Sequence, residues 1–413
     1  MLAVGRHQVS GQDSARSRYA PGGEPRGSPV RVARALRLIV LCLAASALAG
    51  CPGGTQAESP VVLGLIAYQP EPIGADFGAQ MVQAAKLAAD EVNRNGGLVL
   101  RGTRRHIKLA IEIGPATPEA AVAAATRLIN QENVAAIVGP HWSREALPVS
   151  TLAEQSHVPL ISTGSTHPDT TNGKRYVFRI PFTDALQGRA LATLARGELK
   201  ADTAAMMHDA SDPYAAELTS IFARVFEETG GRVVASETYT PDAKVDFGAQ
   251  MRRIRAHQPD VLLLPNRLDD TRAQVRQARA HGVVATVLGS DNWRPDDVTS
   301  ELDGAYFTAP ERMHERRLAA LAAAFGRAYE VPPGVEAVET YDAFGLIFAA
   351  IRFSGDTTPD AIRDGLYEMG PYQGVTGDID YVNDGSPPRG VMILRVTGAR
   401  AVWHRELRAE PAP

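Results

Sequence analysis

Ser143 follows Gly139-Pro140-His141-Trp142 and opens a helical pattern. A helix N-terminus offers unpaired N–H donors and the positive end of a dipole, so a hydroxyl placed there suits an anion. The plainer reading is a helix N-cap, although Ala146 stands where a capping box carries Glu or Gln. Both readings aim the hydroxyl at the same spot. Signs of catalysis are poor. The sequence has no G-x-S-x-G elbow, no phosphate-binding G-x-x-x-x-G-K-[ST] and no G-x-G-x-x-G, and His314-Glu315 lacks the second His of a zinc protease. Asp378, Asp380 and Asp384-Gly385 suggest a Ca²⁺ loop, but Val382 and Asn383 miss the ligand positions; a strand followed by an Asp-Gly turn fits better. The expectation from these motifs is no enzyme, no cofactor and no metal.

The elements that must position such residues alternate regularly. After Pro60, strand Val61–Ala67 leads to a helix over Gly78–Asn95, with Met81, Ala84, Ala85, Ala88 and Val92 on one face. Strand 106–113, helix 117–130, strand 135–139, helix 144–156 and strand 159–162 follow. A second run begins at Tyr176–Ile180: helix 184–199, strand 203–208, helix 212–229, strand 232–239, helix 244–257, strand 261–264, helix 269–281 and strand 286–289. Strands alternating with helices predict parallel sheets covered on both faces, hence two doubly wound α/β lobes. The tail adds helices 315–330, 337–353 and 359–368 and a strand pair, 389–396 and 401–405. Ligands of open parallel sheets bind beyond the carboxyl ends of the strands. The loops after Ala67, Gly139, Ser162, His208, Leu264 and Gly289 are therefore the ones that matter.

The chain has 413 residues and a formal net charge of −4, a length that suits two domains. Residues 1–50 hold seven Arg against Asp13 and Glu24, which leaves an acidic body of 36 basic and 45 acidic residues. An acidic body argues against nucleic acid as a partner. The two Cys, Cys42 and Cys51, both lie near the N-terminus, so the body has no disulfide, thiolate metal site or cysteine nucleophile. Arg31, Arg34 and Arg37 precede an uncharged run, residues 38–48, too short to span a bilayer comfortably. This is the pattern of a secretory signal, with 1–50 as the signal region and 1–29 either disordered or upstream of the true start. Leu48-Ala49-Gly50-Cys51 resembles the bacterial lipobox, which implies a lipidated Cys51, a flexible tether over 51–60 and a lipid-anchored body outside the cytoplasm, on the periplasmic side or at the cell surface.

Taken in order, the loop motifs resemble the periplasmic leucine/isoleucine/valine-binding protein family, the type I solute-binding proteins of ABC importers. The motifs are Asn93-Arg94-Asn95-Gly96-Gly97, Val138-Gly139-Pro140, Pro159-Leu160-Ile161-Ser162 leading to Thr166, Gln277 to Gly282, Leu288-Gly289-Ser290-Asp291, and Gly374-Val375-Thr376-Gly377 with Asp384-Gly385. The resemblance implies two lobes joined by three hinge crossings near Pro181, Pro310 and Pro371. Lobe one would be 61–181 plus 310–370, and lobe two 182–309 plus 371–408. It implies a monomer that delivers an amino acid, or a related small amide or carboxylate, to ABC permease subunits; the alternative is a sensor of the same fold without transport. Carried over by residue, a ligand α-carboxylate would meet Ser143, Thr166 and N–H groups near Gly164. An ammonium would meet Asp291, with Asp184 second; for Asp184 the helix N-cap role is preferred. Phe77, Trp142 and Tyr214 fall on cleft positions, in competition with ordinary aromatic packing. Arg267 and Arg144 depart from the family pattern. An Arg267 facing the cleft would favour an anionic or carbonyl-bearing ligand end, and a branched aliphatic ligand is then in doubt.

Overall fold

The computed structural model describes residues 59–68, 76–114, 116–241, 246–382 and 384–408. Cys51, the run 38–48 and most of the expected tether lie outside them. The first run comprises β1 (Val61–Ala67), α1 (Asp76–Arg94), β2 (Leu98–Leu100), β3 (Thr103–Arg105), β4 (Ile107–Ile113), α2 (Pro118–Asn130), β5 (Ile137–Val138), α3 (Ser143–Gln155), β6 (Leu160–Ser162) and β7 (Val177–Arg179). Its sheet has the order β4-β1-β5-β6-β7, with every pairing parallel. β1 is apolar along its whole length because helices cover both faces of the sheet. At φ +81°, Gly139 turns the chain out of β5; a Cβ there would stand 2.4 Å from the Ile66 carbonyl oxygen.

The second run comprises α4 (Asp184–Thr193), β8 (Thr203–Asp209), α5 (Pro213–Glu228), β9 (Arg232–Tyr239), α6 (Gly248–His257), β10 (Val261–Leu263), α7 (Leu268–Ala280), β11 (Thr286–Gly289) and β12 (Tyr306–Pro310). Its parallel strands have the order β9-β8-β10-β11-β12, the same winding as the first sheet. The chain then returns to the first sheet's core through α8 (Glu315–Tyr329), α9 (Val335–Ser354) and α10 (Pro359–Glu368). After the ribbon β13 (Tyr372–Gly374) and β14 (Gly377–Ile379), β15 (Gly390–Thr397) joins the second sheet antiparallel to β12, and β16 (Arg400–Arg408) pairs antiparallel to β15 at its edge. Two local expectations shift. The helix expected over 184–199 ends at Thr193 and closes in a π turn, Leu194–Glu198, and that expected from Lys244 starts at Gly248.

The third crossing also moves. Ile379 and Tyr381 pack in the first sheet's core, the Tyr381 hydroxyl donates to the Arg179 carbonyl oxygen (2.9 Å), and Arg179 N–H donates to the Gly385 carbonyl oxygen (2.8 Å). Residues 371–386 thus belong with lobe one, and the boundary expected at Pro371 falls at about Arg389. That residue joins all three crossings. Its guanidinium donates to the Ile180 carbonyl oxygen (3.1 Å), to Glu311 Oε1 (2.8 Å) and to Thr376 O and Oγ1 (2.8 and 2.7 Å), while Gly390 N–H donates to Glu311 Oε2 (3.0 Å). The Arg389 side chain is 4% exposed. Arg389→Ala is expected to lower the unfolding free energy by about 3 kcal/mol, because it strands buried acceptors; a denaturant midpoint equal to wild type would contradict the hinge role.

Candidate functional site

In both sheets the winding direction reverses beside the first strand, between β1 and β5 and between β8 and β10, and loops beyond such reversals form crevices. On lobe one, Tyr68 follows β1, Phe77 lies on α1, and His141, Trp142 and Ser143 join β5 to α3. Phe77 and Trp142 stack at 5.6 Å and 23°, His141 stands edge-on to both at 4.8 and 5.0 Å, and Tyr68 meets both edge-on at 6.5 and 6.3 Å. The His141 ring lies so close over Gly164 that a Cβ there would stand 2.2 Å from it.

A continuous polar chain runs from this wall into lobe two. Ser165 Oγ donates to Ser143 Oγ at 2.9 Å. The next residue, Thr166, accepts Asp184 N–H on its carbonyl oxygen (2.9 Å). Gln187 Nε2 donates to Asp184 Oδ1 (3.1 Å) and Tyr214 Oη (3.4 Å); its Oε1 accepts from Asp291 N–H (3.1 Å) and the Thr308 hydroxyl. The Tyr214 hydroxyl donates to Asp291 Oδ1. These bonds bring Ser143, Ser165 and Thr166 of lobe one next to Asp184, Gln187 and Asp291 of lobe two.

Burial governs the charge state here. Asp184 is fully buried, and its pKa is pushed well above the usual carboxylate range by burial and then by Asp291. Burial also raises Asp291 and holds the Tyr214 phenol protonated. His141 is pushed down to about 3 by burial and by Arg294, so it is neutral at pH 7. Its Nδ1 lies 3.1 Å from Thr163 Oγ1 and 3.7 Å from Glu339 Oε2, a contact that is consequently not an ion pair.

α9 brings three acids to the same place. Glu336, Glu339 and Asp342 recur every third residue and are all buried (3, 5 and 0% exposed) in a helix otherwise packed with apolar side chains. Asp342 accepts the N–H groups of Val375 and Thr376 and the Thr376 hydroxyl. Glu336 Oε2 accepts Arg294 Nη2 from lobe two at 2.6 Å, and that guanidinium stands 5.9 Å over the Phe77 ring. This ion pair crosses between the lobes. Glu339 Oε2 has no hydrogen-bond partner among the described residues.

Of the residues expected at a site, Phe77, Trp142, Ser143, Gly164, Thr166, Asp184, Tyr214 and Asp291 come together. Two readings change. Asp184 is not the N-cap, since Thr183 precedes it and Asp184 turns inward; Ser143 likewise follows Trp142 as the first helical residue and accepts from Ser165 instead of capping. Thr166, expected on a ligand carboxylate, meets Asp184 through its backbone carbonyl oxygen. Arg267 is exposed at the start of α7, within electrostatic reach of Asp212 and Asp270. Arg144 pairs with Glu145 and the Ala116 carbonyl oxygen. Sequence reasoning missed His141, Gln187, Arg294, Glu336 and Glu339. The signal for the two glutamates was present: acids at three-residue spacing inside an apolar helix.

Comparison with known proteins identifies relatives of the same fold. The profile of the periplasmic binding protein family matches residues 60–401. An amino acid binding protein from Pseudomonas aeruginosa is 30% identical over 269 residues, covering 65% of this chain and 70% of the relative. The branched-chain amino acid transporter substrate binding protein LivJ from Streptococcus pneumoniae, solved with isoleucine, superposes with a TM-score of 0.70 at 23% identity, covering 85% of this chain and all of that one. A solute binding protein of an ABC transporter from Rhodopseudomonas palustris, solved with 3,4-dihydroxybenzoic acid, gives 0.69 at 20% identity, covering 86% and 99%.

Arg294 is 51% exposed, so solvent screens its pair with Glu336. Arg294→Ala is expected to weaken ligand binding about three- to tenfold at low salt, corresponding to ~1 kcal/mol, and by less at high salt. Calorimetry at two salt concentrations checks this; a loss that does not depend on salt would show that the pair is not what holds the lobes together.

Proposed function

The chain belongs to the periplasmic binding protein family, and on that premise we propose that it is the extracytoplasmic substrate-binding subunit of an ABC importer, taking an amino acid or a closely related small amide or carboxylate. The observation that carries this reading is the polar chain from Ser143 through Ser165, Thr166, Asp184 and Gln187 to Asp291, which sets hydroxyl residues of one lobe next to carboxyl groups of the other. A ligand cation settles against Asp291 and Asp184, and its polar end against the Ser143 hydroxyl. Phe77, Trp142 and Tyr214 wall the space between.

Closure follows from the distribution of these groups. A ligand held first by one lobe gains its remaining contacts only when the other arrives, so it favours the closed arrangement by its differential affinity for that state. Flexing is confined to the crossings at 180–182, 310–313 and 389–390, which line a cavity of about 20 Å³ together with Glu339. The ligand is released unchanged. A permease reads the closed form, and Cys51 carries the lipid anchor that keeps the protein beside it.

Asp291→Ala is expected to lower amino-acid affinity well over tenfold, because a charge-assisted contact in a desolvated cleft is worth about 2 kcal/mol or more. Titration calorimetry measures it, and unchanged binding would remove Asp291 from the site. For the anchor, Cys51→Ala is expected to move the protein from the membrane fraction to the soluble fraction; labelling with a radioactive fatty acid that persists in the variant would count against lipidation at Cys51.

A further inference from the structure

The acidic stripe of α9 is accounted for at two of its three positions. Glu336 is matched by Arg294, and Asp342 by the N–H groups of Val375 and Thr376. Glu339, between them, is 5% exposed and has a carboxyl oxygen without a hydrogen-bond partner among the described residues. Glu145, 2% exposed, also has an unpartnered Oε2 but pairs with Arg144 through Oε1; among the described residues the other such acid without an ion pair is Asp184, fully buried with Oδ2 unpartnered. Both are coupled electrostatically to Asp291, Asp184 from its own lobe and Glu339 from across the cleft.

The cations nearby are committed elsewhere. By hydrogen bond, Arg294 serves Glu336, Arg389 serves Glu311 and the crossings, and Arg179 donates to the carbonyl oxygens of Ser165 and Pro168 and to Thr171 Oγ1; Arg179 favours the Asp184 carboxylate, and Arg389 the Glu339 carboxylate, only through longer-range attraction, without an ion pair. His141, the closest group to Glu339, is neutral at pH 7. Bringing three carboxyl groups together without added positive charge is costly. An α-ammonium answers the Asp184–Asp291 pair and leaves Glu339. Beside Glu339 stands the aromatic cluster of His141, Phe77, Trp142 and Tyr68, and one of its rings already takes a cation, the Arg294 guanidinium over Phe77.

We propose that Glu339 is a specificity-determining residue that receives a second cationic nitrogen, so that the ligand is a basic α-amino acid and not an aliphatic one. This deepens the amino-acid reading and rests on it. The α-ammonium lies against Asp291 and Asp184, and the side-chain cation lies between Glu339 and the aromatic wall.

Titration calorimetry on the purified protein with L-ornithine, Nδ-acetyl-L-ornithine and L-leucine tests this. Ornithine is expected to bind at least about tenfold tighter than either of the others, since acetylation removes only the second charge. Glu339→Gln is expected to lower ornithine affinity by about tenfold or more and to change leucine affinity by less than about threefold. Leucine or acetylornithine binding as tightly as ornithine to the wild type overturns the proposal without recourse to any variant, as does an absence of ornithine binding. Asp291→Asn separates the two readings. If it weakens leucine and ornithine alike while Glu339→Gln leaves their ratio at the wild-type value, the role of Glu339 fails and the amino-acid reading stands; if Asp291→Asn changes neither, the amino-acid reading itself fails.

Discussion

The constraint on which this structure turns is the withdrawal of three carboxyl groups, Asp184, Asp291 and Glu339, from water into one cleft between two lobes. A lone carboxylate in such surroundings takes up a proton unless a cation or several donors meet it. All three have raised pKa values with burial as the largest cause, and Asp184 and Glu339 are raised further by Asp291. Two of them belong to lobe two and one to lobe one, so approach of the lobes increases their mutual cost. Positive charge placed among them reverses that balance. On the proposed reading, the free energy that closes the lobes and the free energy that recognises the ligand have one origin, which makes closure a report of occupancy and not a separate event.

The scaffold permits this because its rigid and flexible parts are segregated. Each sheet carries its own apolar core, and the parallel winding is the same in both, so each lobe presents loop residues at a reversal in strand order. Between them the chain passes three times, and Arg389 gathers the crossings by donating to Ile180 on the first and Glu311 on the second while itself lying on the third. A planar guanidinium suits this position: its donors diverge in fixed directions, so one side chain holds all three crossings at a fixed spacing. A lysine would supply the charge without that geometry.

The alternating pattern of the sequence revealed the fold almost completely. β1, β9, β11 and α10 occupy the expected residues, and most other elements lie within a few positions of their expected bounds. What stayed hidden was non-local. The ribbon Tyr372–Ile379 has strands of three residues, too short for periodicity to register, and its place in lobe one depends on Asp342, some thirty residues earlier. The site was half legible. Ser143, Asp291 and the aromatic wall sit next to turn and strand-end signals, whereas Gln187 and Glu339 lie inside helices, where nothing local distinguishes a functional polar residue from a solvated one. Asp184 was misread for a related reason. An acid at the first turn of a helix serves its own N–H groups unless tertiary packing turns it inward, and here Thr166 and Gln187 hold it there.

Arg294 and Glu336 show how closure avoids becoming permanent. Both lie at the cleft, and their pair joins the lobes directly, yet the Arg is half in water and the Glu 3% exposed. Fully buried, such a pair would couple the lobes strongly in every state, and its desolvation would have to be undone before a ligand could leave. Left half-exposed, it adds a small, salt-screened preference for contact, on the order of 1 kcal/mol. On the proposed reading, a contact this weak leaves a ligand of ordinary affinity able to decide between open and closed arrangements. A strong clasp beside a weakly held ligand would signal occupancy falsely. The strongly perturbed groups are instead the ones proposed to meet the ligand, and the clasp between the lobes is left weak.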